Sequence, residues 1–117
     1  EALTAAYTHG EEWLGELITY LKTNIDYVDS FFKEHLPKIK VIVPESTYLV
    51  WIDCRELEMS GKELSELFLQ KAKVAVNEGS MFGTSGEGFI RMNVGCTHNT
   101  VKTALSQIKK TLTGLNY

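Results

Sequence analysis

Thr47-Tyr48-Leu49-Val50-Trp51-Ile52-Asp53 is apolar on both faces of an extended chain, with Leu49 and Trp51 on one side and Tyr48, Val50 and Ile52 on the other. A strand with two apolar faces belongs at the centre of a sheet. Just before it, Lys38 to Val43 puts Ile39, Val41 and Val43 on one face, and the short link Pro44-Glu45-Ser46 permits a hairpin. After it, Ser60 followed by Glu63 reads as a capping box that opens a helix with Leu64, Leu67, Phe68 and Ala72 on its inner face. Val74 to Val76 reads as a short third strand. It leads through a glycine-rich loop, Gly79 to Gly88, into a fourth strand, Phe89 to Val94.

A helix flanks this centre on each side. Upstream, Trp13, Leu14, Leu17, Ile18, Leu21, Ile25, Val28, Phe32 and Leu36 recur at steps of three and four, one apolar stripe from Gly10 to Leu36. Thr8 with Glu11 predicts a capping box at its start, and Pro37 ends it. A helix of roughly 40 Å at 1.5 Å per residue is long for so small a chain, and implies packing on something beyond it. Downstream, His98 to Leu112 carries Val101, Ala104, Leu105, Ile108 and Leu112 inward, with Gly114 expected in a left-handed cap. The order is α-β-β-α-β-β-α. It predicts an α+β fold: a small, largely antiparallel sheet of about four strands, covered by helices on one side. Residues 1–117 read as a single domain, without internal repeats.

Composition excludes several functions. The net charge of −3 leaves no basic face for phosphates, which argues against nucleic acid. Lys and Arg are scattered, and no apolar run nears the ~20 residues that span a bilayer. No signal peptide is visible, so a cytoplasmic location is expected. Cys54 and Cys96 each sit in an apolar stretch and read as buried thiols in a reducing compartment rather than a disulfide. The chain opens at Glu1 without an initiator Met, and is read as a fragment or processed chain.

Arg91 is the residue most suggestive of chemistry. On its strand Ile90, Met92 and Val94 face one way, and Phe89, Arg91 and Asn93 the other. A half-buried guanidinium needs an anion, and its planar fork matches a carboxylate in two parallel hydrogen bonds. Spacing alone leaves three readings open: a clamp for a small acid, an Arg facing solvent, or one paired to a structural Asp or Glu. The glycine loop lacks a P-loop ending and a dinucleotide-turn order; a loop closing over a ligand beside Arg91 fits better. His9, His35 and His98 lie at helix ends with no metal-ligand spacing, so no metal is expected. Trp13 and Trp51 read as core or interface anchors, and Glu11, Glu12 and Glu16 as helix-start acids. Ser106-Gln107-Ile108-Lys109 falls inside the last helix and is set aside.

Three stretches carry a family resemblance. Ala6-Tyr7-Thr8-His9-Gly10-Glu11-Glu12-Trp13-Leu14 resembles the start of the long helix in class I/II aminotransferase-like enzymes of fold type I, above all the cystathionine β-lyase (MalY/PatB) group of C–S lyases. Pro44 to Asp53 is similar to their P-x-G-T-Y-L-x-W-x-D strand. Asn77-Glu78-Gly79-Ser80-Met81-Phe82-Gly83 and Gly86 to Asn93 resemble their G-S-x-F-G and G-E-G-F-x-R-L-N motifs. Ser46 stands where Gly is usual, which puts the tightness of that turn in question, and Glu78 where Pro is common, which implies a less restrained loop.

The resemblance implies the C-terminal small domain of a pyridoxal-phosphate-dependent enzyme, with Arg91 on the α-carboxylate of an amino-acid substrate. Phe82 and Gly83 would belong to a gating loop. The family's Schiff-base lysine and its cofactor-holding residues have no counterpart here. The resemblance therefore implies a missing large domain, no catalytic and no cofactor-binding residue in this chain, inactivity on its own, and a homodimeric parent. In such a parent the cofactor is the electron sink and this chain positions substrate. Lyase and transaminase outcomes both stay open. So do a stand-alone amino-acid-binding regulatory module and an interaction domain binding a foreign helix along the Trp13 stripe; an upstream reading frame with the lysine motif separates these from the enzyme.

Overall fold

The computed structural model describes residues 1–117. Helix α1 (Ala2–His9) and the long α2 (Glu11–His35) lead into a hairpin of β1 (Lys40–Ile42) and β2 (Leu49–Asp53). Helix α3 (Gly61–Glu66) runs on as one π-helical turn, Leu67–Lys71. Strands β3 (Asn77–Glu78) and β4 (Phe89–Asn93) and helix α4 (His98–Thr113) complete the chain. The sheet is antiparallel throughout, in the order β1-β2-β4-β3. The α+β architecture is as read, and β2 is internal, as its two apolar faces require.

One core lies on one side of the sheet. Val50 and Ile52 of β2 and Ile90 and Met92 of β4 meet Val28 and Phe32 of α2, Leu64 of α3, and Val101, Leu105 and Ile108 of α4. Each is almost fully withdrawn from water, the main favourable contribution to folding. Asn24 of α2 is the one buried polar residue. Its amide donates to Val94 O and Cys96 O, both at 3.0 Å, and its Oδ1 faces His98 Nδ1 at 2.8 Å. The amide uses both its hydrogens on carbonyls, so the imidazole supplies the proton of that last bond.

Several local expectations fail, each for a visible reason. Thr8 does not cap α2; its hydroxyl donates back to Thr4 O at 2.7 Å, within the separate helix α1. The joint is Gly10, where a Cβ would collide with Ala6 O. Val74 to Val76 forms no strand. Lys73 stands at φ 57, and pairing begins only at Asn77. Gly114 is right-handed at φ −66, and Asn116 takes the positive φ instead. Ser46 does not carry the strain of its turn: the left-handed residue is Thr47 at φ 69. The Ser60–Glu63 capping box forms as read, with Ser60 N donating to Glu63 Oε2 at 2.8 Å and Glu63 N to Ser60 Oγ at 3.3 Å.

Only the second half of α2 is buried, at Asn24, Ile25, Val28 and Phe32. Trp13, Leu14 and Ile18 stand exposed. No helix is long and apolar enough to cross a membrane. Cys54 and Cys96 are both free, Cys54 fully buried and Cys96 half-buried.

Candidate functional site

Alternation along β4 turns Ile90 and Met92 into the core and leaves Phe89, Arg91 and Asn93 on the face without helices. Antiparallel register then fixes the neighbours of Arg91: Trp51 of β2 on one side and Asn77 of β3 on the other. Arg91 is half-buried. Its Nη2 donates to Asn77 Oδ1 at 3.1 Å, and its guanidinium carbon lies 4.3 Å from the centre of the Phe82 ring. Its Nε is buried and bonded to nothing. No carboxylate pairs with it; the chain's ion pairs all lie elsewhere. A buried N–H left without a partner costs about 1–3 kcal/mol, and more on a charged group.

The same face carries an aromatic ladder. Phe82 meets Trp51 edge-on at 5.8 Å, and Trp51 stacks on Phe89 at 5.7 Å with an 18° tilt. Arg55 lies 4.8 Å over Phe89 and closes the far end. Arg55 has an internal counterion: Nε and Nη2 donate to the two oxygens of Asp53 at 3.0 and 2.8 Å. Those bonds hold the Asp53 carboxyl below its usual range against the opposing effect of burial. One guanidinium of the face is thus taken by an internal acid, and the other is free.

The glycine loop is folded into two 3₁₀ turns, Gly79–Phe82 and Thr84–Gly86. Gly79 and Gly86 touch backbone to backbone, leaving no room for a Cβ. Gly83 stands at φ 125 in open space, so its conformation rather than crowding calls for glycine there. It follows Phe82 directly and caps that turn. Glu78 does not loosen this loop, contrary to expectation. Its carboxylate accepts from Ser80 N at 2.9 Å and from the Ser80 hydroxyl, capping the first turn.

Arg91 and Phe82 therefore come together, and Gly83 follows Phe82 at the end of its turn. Asn77, Trp51 and Phe89 join them unannounced. Trp51 and Phe89 were legible from strand alternation once β2 was paired with β4; Asn77 was not, because Val74 to Val76 drew the strand too early. Ser106 and Lys109 lie on α4, across the sheet from this face. No group of three or more His, Cys, Asp or Glu side chains converges anywhere in the chain.

Residues 1–108 match the family Aminotransferase class I and II, and the chain belongs to it. It is 40% identical to cystathionine beta-lyase PatB of Bacillus subtilis over 95% of this chain and 29% of that protein. It is 36% identical to protein MalY of Escherichia coli over 84% of this chain and 25% of that one. Among solved structures, cystalysin from Treponema denticola, which contains a pyridoxal 5′-phosphate cofactor, superposes with a TM-score of 0.91 at 34% identity, over 94% of this chain and 28% of that one. The chain thus spans less than a third of the length of these relatives.

Proposed function

We propose that this chain is the substrate-positioning C-terminal domain of a pyridoxal-phosphate-dependent C–S β-lyase or aminotransferase, in which Arg91 binds the α-carboxylate of an amino-acid substrate. The observation that carries the reading is Arg91 itself: half-buried, flanked by an amide and an aromatic ring, and without an acid. A small carboxylate supplies the missing charge, and the fork holds it in two parallel bonds. The free fork fits an amino-acid carboxylate; nothing on this face offers a lysine motif for the cofactor, so the cofactor-binding large domain lies outside these residues. Bound there, pyridoxal phosphate supplies the electron sink for chemistry at Cα.

Within this chain the work is geometric. Arg91 fixes one end of the substrate, which orients the Cα–H bond for removal and converts binding energy into alignment. Phe82, at the tip of a turn bounded by Gly83, shields the guanidinium face and gates the approach. The kinship with PatB and MalY favours a cystathionine-type C–S lyase over a transaminase. A cytoplasmic homodimeric parent, with this chain inactive alone, completes the proposal.

In the full-length enzyme, Arg91→Ala should cost about 2–5 kcal/mol in kcat/KM for L-cystathionine, from about thirty-fold to several-thousand-fold. Turnover at the wild-type level in that variant would remove the clamp.

A further inference from the structure

We infer that Asn77 is a positioning residue that presets Arg91 for a carboxylate while leaving its charge unspent. The inference rests on the reading of Arg91 as the clamp and adds a second residue to it.

Asn77 stands directly opposite Arg91 across β3 and β4, where side chains in an antiparallel pair lie within reach of each other. Strand β3 is only two residues long, yet it is firmly held. Glu78 pairs with Ile90, its carboxylate pins Ser80, and Gly79 seats against Gly86. The Asn77 amide thus projects from a fixed backbone. Its Oδ1 takes one hydrogen of Arg91 Nη2 at 3.1 Å, Nε is turned inward, and Phe82 covers one face of the plane. What remains is the end of the fork: both Nη1 hydrogens and the second Nη2 hydrogen, none with a partner in the chain. Two parallel bonds to a carboxylate need that edge.

The chemistry of an amide matters here. A carboxylate at position 77 would take the fork itself. The same sheet face carries that case: Asp53 engages Arg55 through both oxygens, at 3.0 and 2.8 Å, and compensates its charge. An amide accepts a hydrogen bond without cancelling the charge. Asn77 therefore steers Arg91, and Asp at the same position would compete with substrate.

The experiment uses the full-length holoenzyme with Asn77→Ala, Asn77→Asp and, as the reference for the clamp, Arg91→Ala. KM and kcat are measured with L-cystathionine, and dissociation constants for propionate and its neutral counterpart propionamide by ligand-detected NMR. Asn77→Ala should raise KM about tenfold with kcat within about threefold, the split expected when binding rather than chemistry is lost. Asn77→Asp, nearly isosteric and equally able to pair its backbone, should raise KM further. Both should weaken propionate in parallel and leave propionamide unmoved. A residue that merely supports β3 would tolerate Asp. A KM within about twofold of wild type in either variant, or equal weakening of propionate and propionamide, overturns the role of Asn77. If Arg91→Ala still loses activity in that case, the clamp stands without it. An Arg91→Ala enzyme with wild-type KM and propionate affinity would instead overturn the clamp, and this inference with it.

Discussion

Arg55 and Arg91 share one sheet face and one aromatic ladder, and differ in what meets their guanidinium groups. Arg55 has Asp53, and Arg91 has only the neutral Asn77. That difference separates a compensated charge from an uncompensated one. A third titratable side chain, just past β2, is inert by burial. Cys54 follows β2 into the core, and desolvation pushes its thiol up to about 12. The proton is held more tightly folded than unfolded, where the thiol titrates near 9.0. Stability from this group is therefore complete below that value and is lost as pH rises from there towards 12. With a thiol-specific chromogenic disulfide at pH 8, Cys96 should react in the native chain and Cys54 only after denaturant is added. Equal native rates would contradict the burial of Cys54. At this scale the sequence was informative where alternation governs. Phe89, Arg91 and Asn93 were assigned to one face without coordinates, and they share it. Asn77 was invisible because its partner is set by register, and register depends on where a two-residue strand begins.

Helices and turns were legible where a side chain closes its own cap. Ser60 and Glu63 satisfy each other's backbone groups, a local bond that a four-residue window contains. The Thr8–Glu11 pair has similar spacing but fails, because the chain continues helically through Thr8 and breaks at Gly10. The Ser60 hydroxyl and backbone N–H hold the Glu63 carboxyl below its usual range. A carboxyl lowered in the folded state contributes stability above its unfolded value and loses it as pH falls through the folded one. Ser60→Ala should therefore destabilise the protein by about 1 kcal/mol at neutral pH, the usual worth of such a cap. In urea unfolding the gap between wild type and variant should narrow as pH drops below the carboxylate range. A gap that stayed constant into acid would mean that Glu63 takes no part.

Across the whole molecule, two surfaces are unfinished. The first half of α2 holds Trp13, Leu14 and Ile18 in water while its second half is core. Exposed apolar surface of this kind marks an interface. The ladder face presents a guanidinium with no acid. The length of α2, legible from its unbroken stripe, already implied packing beyond the chain. How the open face would be completed was not legible, because no acid of the chain pairs with Arg91. We propose that Arg91 meets the carboxylate of a bound amino acid. A crystal structure of the full-length enzyme with a bound amino-acid ligand tests it most directly. The account predicts both ligand carboxylate oxygens at about 2.7–2.9 Å from the Arg91 fork, beside Asn77. A ligand carboxylate held elsewhere, with Arg91 paired to an acid of the large domain, would contradict it.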